Sequence, residues 1–419
     1  MSSPRSISTV DRISALPDSV ICHILSFLPT KQSAATSILS KRWNPLWHSV
    51  FTLDFDDHGF ADFATFRYFV FCVMLARDPT LPLRSFRLKC GASQGCDPQD
   101  INRFVRAAVQ RGTQNFIMET DLVKTDREFL TELGSTVSTI FNSRNLVVLK
   151  LKTLLVTDLP QINFPLLKTL HLKKVYILRD FNKLIEGCPI LEELEITTSF
   201  LFRFSKDGIG EFKHSNLVRV NISKFGPQNF PFAWICNAKI LRLELQRSED
   251  QVHAFHNLTH MELIFTSNWR TKWKWLLEML KNCPKLQNLT LHKLYGHGID
   301  EDDWKEPEII PNCLSSQLRT CSLIYYKGMK CELQFAEYVL KNANLLRTMT
   351  ISASPGDLTL KHQMLMDLSL CPRGSIASPQ SGRYGGILAL RHGPPSATLV
   401  DGELANEYEI QAEAKESST

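Results

Sequence analysis

The chain has 419 residues, 43% of them apolar and 22% charged, with a formal net charge of +5. This is the composition of a globular protein with room for two or three domains. So mild a charge neither demands nucleic acid nor excludes it, since the footprint of such a partner would be a clustered basic patch. Met1–Val10 has one arginine and no apolar core, so it is no signal peptide. From Pro17 the pattern turns helical. Proline suits the first turn of a helix, where its missing N–H costs nothing. Val20, Ile21, Ile24, Leu25 and Leu28 follow at helical spacing, and Pro29 ends the run. Thr30 is placed to cap a second helix through Ile38-Leu39, and Ser40 a third from Lys41 to Trp47. Three helices in about forty residues cannot bury a large core, so some apolar surface is left for a partner.

The ordered motifs of this stretch are Leu16-Pro17, the break Leu28-Pro29-Thr30, and Ser40-Lys41-Arg42-Trp43. They resemble an F-box, the helical module that joins a protein to an SCF ubiquitin ligase. The resemblance implies a Skp-family adaptor as partner, and a cullin through it. It assigns adaptor binding to Leu16, Pro17, Ile21, Leu25, Leu28, Pro29 and Trp43.

Next comes the apolar run Phe69–Ala76, flanked by Arg67 and Arg77 and far too short for a membrane span. Beyond it the pattern L-x-x-L-x-L recurs, with other apolar residues substituting. Leu83/Phe86/Leu88 is an early copy and Phe116/Met118 a degraded one. Further copies start at Leu146, Leu167, Leu191, Leu217, Ile240, Leu258, Leu286, Leu318 and Leu346, 18 to 32 residues apart. Leucine-rich repeats run about 20–29 residues, so most intervals fit. A longer echo links Leu184–Ile196, Met279–Leu291 and Val339–Ile351, each read as a helix end turning into a short strand. Stacked units of this kind bury one continuous core and leave an extended concave face.

Leucines of the triplet point inward, so the residues beside the last two point out. The early repeats then present Arg87, Lys89, Lys150, Lys152, His171 and Lys173, and the next presents Glu193 and Glu195. These are the candidate substrate-binding residues. Their grouping by sign predicts that an acidic stretch of substrate meets the early repeats.

From Pro307 to Met349 the sequence is similar to the FBD module of plant F-box/leucine-rich-repeat proteins. Together these resemblances imply an α/β fold of defined layout. A flexible N-terminus (1–10) precedes the three-helix F-box (11–51) and a helical linker (52–82). An irregular leucine-rich-repeat solenoid (83–306) follows, with the FBD module (307–373) as its C-terminal part. Residues 374–419 are rich in Ser, Ala, Gly, Pro and Glu, which predicts disorder or an aberrant end.

No catalytic constellation is legible. His253, His256 and His260 do not share a helical face if His260 begins a strand. Asp300–Asp303 lacks the alternation of a calcium loop, and Gly385-Gly386 has no strand–helix context. The eleven cysteines are scattered without zinc spacing, as expected of reduced thiols in the cytoplasm or nucleus. The expectation is a substrate-recognition subunit of an SCF-type ligase, without enzyme activity, cofactor, metal, membrane or nucleic-acid partner. Its protein substrate is not readable from the sequence. The alternative is a leucine-rich-repeat scaffold or small-ligand sensor acting outside ubiquitination.

Overall fold

A computed structural model of the chain describes residues 13, 15–78, 80–91, 95–120, 127–156, 162–177, 181–197, 216–223, 232–245, 252–266, 272–293, 304–326, 329–353, 366 and 387–391. The chain forms two compact units, with the boundary inside the strand Ile240–Leu245.

The first unit opens with three short helices, α1 (Asp18–Leu25), α2 (Thr30–Ala35) and α3 (Trp43–Leu46). They are shorter than the sequence pattern implies. The second gives way to a 3-10 turn at Thr36–Ile38. Pro29, not Thr30, holds the N-cap position of α2. The buried Thr30 hydroxyl instead accepts the Asp54 amide at 2.8 Å. Lys31 adds a bond from Nζ to the Gly59 carbonyl and lies 4.2 Å over the Phe60 ring. The buried Arg77 guanidinium donates from Nη1 to the Val50 carbonyl. The helices are thus tied to the downstream chain at three points.

The rest of the first unit is built on a parallel ladder in sequence order: β1 (Thr52–Asp56), β2 (Ser85–Cys90), β3 (Asn115–Thr120), β4 (Val148–Val156), β5 (Thr169–Ile177), β6 (Glu193–Thr197) and β7 (Arg219–Ser223). Parallel neighbours need crossover connections. Helices α4 (Phe63–Ala76), α5 (Pro98–Gln110), α6 (Arg127–Thr136) and α7 (Phe181–Glu186) supply several of them. Gly134 of α6 passes so close to β4 that a Cβ there would overlap the Leu155 carbonyl. Segment 52–82, expected as a helical linker, therefore opens with a strand. The triplet Val50/Leu53/Phe55, which starts two residues before this segment, is buried and begins the ladder.

The second unit holds β9 (His260–Phe265), β10 (Asn288–Lys293), β11 (Thr320–Tyr326), β12 (Thr348–Ala353) and β13 (Ile387–Arg391), again parallel and in order. Helices α8 (Lys272–Lys281), α9 (Asn312–Ser316) and α10 (Lys330–Asn342) connect the first four. Trp304 packs edge-on against Trp273, Phe335 and Tyr338. Burial there pushes the Tyr338 hydroxyl up to about 12.

The triplet residues are almost all buried. Leu245 and Leu346 are half-buried, and Ile240 is the instructive exception. Ile240 is 40% exposed, whereas Ala238, Leu241 and Leu243 of β8 (Ile240–Leu245) are buried. The true triplet therefore starts two residues earlier, at Ala238. Because strand side chains alternate with period two, that slip keeps Arg242 and Glu244 on the outward face.

One backbone feature repeats through both units. The carbonyl just before a strand accepts two successive amides of the next repeat. Arg84 and Ser85 bond Phe51 O, Gln114 and Asn115 bond Arg84 O, and Val147 and Val148 bond Gln114 O. The relay runs on through Val147, Lys168, Glu192 and Val218, and in the second unit through Thr259, Gln287 and Arg319.

Residues 387–391 lie in the segment expected to be disordered. Their backbone nevertheless pairs in parallel with Thr348–Ser352 of β12. An apolar Ile-Leu-Ala-Leu run meeting an open strand edge is the physical reason. The N-terminus, Asp300–Asp303, Gly385-Gly386 and the remainder of 374–419 fall outside the described residues.

Candidate functional site

The three-helix module has a core of its own. Ile21, Leu25, Trp43, Leu46 and Val50 are buried together, with Leu16, Cys22, Leu28 and Trp47 packed against them. Arg42 fastens the start of α1 by bonding the Asp18 carboxylate and the Leu16 carbonyl. Ile21, Leu25 and Trp43, expected as docking residues, are thus the module's interior. They hold the module's shape and offer a partner no surface. Leu16 and Leu28 are half-buried, and Pro17 and Pro29 are exposed at the two helix starts.

A second apolar stripe, along α1 and the turn that follows it, is open to solvent. Val20, Ile24 and Phe27 follow at i, i+4 and i+7, and are 40%, 42% and 75% exposed. Ile38 and Leu39, at the end of the 3-10 turn, are 85% and 62% exposed. Lone exposed apolar residues are ordinary, but five on a module this small are not. The helix is apolar on both faces, and the sequence holds no cue as to which face turns inward.

The outward face of the first unit is a grid of ions set by strand register. One row runs Asp54, Arg87, Ile117, Lys150, His171, Glu195, and the next Asp56, Lys89, Glu119, Lys152, Lys173. Arg87 bonds Glu119 at 3.0 Å, with Lys152 at 4.0 Å from the same carboxylate. Lys89 bonds Asp56 at 3.3 Å, and Lys173 bonds Glu195 at 3.5 Å. Glu193 holds Arg219 at 2.7 Å. Among the described residues, Lys150 has no ion-pair partner. The grouping by sign is therefore corrected. Asp54, Asp56 and Glu119, which the triplet reading passed over, sit among the basic residues and neutralise them. The face is mixed, not basic.

His171 is the most constrained of these groups. Its Nε2 lies 3.1 Å from Glu193 and its Nδ1 3.3 Å from Glu195. Burial lowers its pKa and outweighs both carboxylates. A neutral ring donates from only one nitrogen, so one carboxylate faces a ring nitrogen without a proton. Burial pushes the Glu193 carboxyl up, but bonds from Arg219 and His171 outweigh it and hold the group below its usual range. Asp54, half-buried, is raised by burial.

In the second unit Glu262 takes Arg242 at 3.1 Å and His292 at 2.9 Å. Its burial penalty is overcome by these partners, and its pKa is lowered. The outward positions beyond it are neutral: Asn288, Thr290, Thr320, Ser322, Thr348 and Thr350 in register. No helix among the described residues is long and apolar enough to cross a membrane.

Comparison with known proteins gives these surfaces a context. Residues 13–53 match the F-box domain model, and residues 306–351 match the FBD model. An FBD-associated F-box protein of Arabidopsis thaliana is 31% identical, over 87% of this chain and 98% of its own length. An F-box/FBD/LRR-repeat protein of the same plant is 30% identical, over 88% of this chain and 99% of its own. F-box domains generally bind Skp-family adaptors, and F-box proteins generally serve SCF ligases as non-catalytic substrate adaptors. With that identity spread over nearly its whole length, the chain belongs to the plant F-box/FBD/LRR-repeat protein family.

Proposed function

We propose that this chain is the substrate-recognition subunit of an SCF-type ubiquitin ligase. The F-box docks on a Skp-family adaptor, and through it on a cullin. The repeats and the FBD module form one irregular leucine-rich-repeat solenoid whose outward strand face receives a protein substrate. The work is done in the cytoplasm or nucleus, and the chain contributes proximity in place of catalysis. The observation that carries the reading is the open stripe Val20, Ile24, Phe27, Ile38 and Leu39 on a module whose core is already satisfied. Leu16, Pro17, Leu28 and Pro29 shape its edges.

Ile24→Lys with Phe27→Glu tests it. Both side chains are exposed, so the fold should survive while co-purification with a Skp-family adaptor is lost. Interface anchors of this size typically contribute about 2 kcal/mol or more each, so the pair should weaken binding at least about a hundredfold. Unchanged adaptor binding by a folded double variant would sink the assignment. On the substrate side, ions already paired across strands make poor single anchors. Lys150, which has no such pair, is the basic residue best placed to meet a substrate carboxylate. Arg87, Lys89, Lys152, His171, Lys173, Glu193 and Glu195 act as a pattern that sets selectivity.

A further inference from the structure

A guanidinium is buried at the end of α4 without a counter-ion. Arg77 is 2% exposed, and its nitrogens are used unequally. Nη1 donates to the Val50 carbonyl, whereas Nε and Nη2 are shielded from solvent and meet no acceptor among the described residues. Those two nitrogens carry the parallel N–H bonds along one edge of the guanidinium. That edge is the fork that grips a carboxylate or a phosphate in a bidentate pair. The buried Asp100 shows the contrast, since it is paired with Arg67 at 3.1 Å and Arg103 at 2.8 Å. A buried cation left unmatched is costly. Burial, and after it the charge of Arg111, lower the Arg77 pKa to about 10, so the group still carries its charge at neutral pH.

The surroundings add cations and no anion. Arg77 is the C-cap of α4, and Arg111 is the C-cap of α5. Arg111 reaches the end of α4, where its Nη2 donates to the Met74 carbonyl at 3.0 Å. Cations are favourable at a helix C-terminus, and Arg111 meets that need. It does not account for Arg77, whose bond runs to Val50 of the F-box core and not to a carbonyl of α4. Arg84 stands close by. Its amide bonds the Phe51 carbonyl at 2.9 Å, and its guanidinium lies 4.9 Å over the Phe51 ring. The carboxylate next in sequence, Asp78, is engaged by the Thr80 amide at 2.8 Å and the Thr80 hydroxyl at 2.6 Å. Among the described residues, none of these three arginines has a carboxylate partner.

We propose that the Nε/Nη2 edge of Arg77 is a binding site for a small tetrahedral oxyanion of the phosphate class, at the seam between the F-box core and the first repeat. Arg77 supplies both donors of the bidentate pair, and Arg111 supplies a second positive charge. Two cations suit a doubly charged oxyanion better than a carboxylate, which carries one charge. Because both donor nitrogens are shielded, the ligand is a free ion and not a phosphate carried on a protein or a membrane. Bound there, it would join the ends of α4 and α5 to Val50, and so fix the F-box to the frame of repeats.

The test uses the full-length chain, dialysed exhaustively into chloride buffer and then brought to equilibrium with radiolabelled phosphate. The expected result is one saturable phosphate per chain with a Kd below about 1 mM. Sulfate should displace it, whereas acetate and added chloride at the same ionic strength should not. Arg77→Met should abolish binding. Arg77→Lys keeps the charge and loses the fork, so it should raise Kd at least about tenfold, and it decides the matter if the methionine variant does not fold. Three results would each overturn the proposal: no saturable phosphate on the folded parent chain, displacement by acetate or chloride as effective as by sulfate, or an unchanged Kd in a folded Arg77→Lys variant.

Discussion

Single residues divide into those that hold the F-box and those that meet its partner, and two positions on one helix turn separate the roles. Ile21 is fully buried, while Ile24 is 42% exposed. Ile21→Ala should therefore unfold or loosen the module, at a cost of about 2–4 kcal/mol. Loss of helical signal below residue 50 in hydrogen exchange would report it. If the variant folds as well as the parent, the buried core described above is wrong. His171 makes a second prediction, through pH. Its folded pKa is lowered from the ordinary 6.5. In that range the unfolded chain binds the extra proton and the folded one resists it, so acid favours unfolding. Stability present above pH 6.5 is lost as pH falls below it. The melting temperature should drop between about pH 7.5 and about pH 5.5, and His171→Gln should shrink the drop. His48, also lowered by burial and by Arg77, supplies part of what remains. An unchanged pH slope in the variant would show that the ring carries no burial penalty.

At the scale of elements, β13 matters most, because it lies where composition argued for disorder. It covers the edge of β12 through Ile387–Arg391. A chain ending at residue 386 should lose that ladder, at a cost of about 2–5 kcal/mol at roughly 1 kcal/mol per bond. It should also expose a strand edge prone to self-association. A chain ending at residue 391 should behave like the full chain. Thermal unfolding and sedimentation of the two truncations decide it, and equal stability would mean that β12 needs no cover. The reason β13 escaped the sequence reading is physical. Five residues carry too short a period to stand out from a Ser/Gly/Pro-rich background, and their partner strand is more than thirty residues away. β1 escaped for another reason: Val50/Leu53/Phe55 begins inside the stretch that resembles an F-box, so its strand period was absorbed into the helical motif.

For the molecule as a whole, the buried pattern was legible and the surface was not. Leucine triplets such as Leu149/Leu151 and Leu170/Leu172 follow from periodicity alone, because burial leaves few residue types able to fill them. Ile240 misled by offering a leucine-like residue where the buried one is Ala238. Charges on the outward face obey register between strands that are distant in sequence, so Glu119 beside Arg87 is invisible until the strands are paired. The relay of shared carbonyls has a consequence for how such a chain can change over generations. Register passes from one repeat to the next through a single acceptor, while the connecting loop takes no part in setting it. Triplet starts can then stand 21 residues apart, from Leu146 to Leu167, or 33 apart, from Val50 to Leu83, without disturbing the ladder. A connector can be lengthened, shortened or exchanged with a relative's as a cassette. New recognition loops become an inexpensive evolutionary experiment, run on a frame that keeps its place.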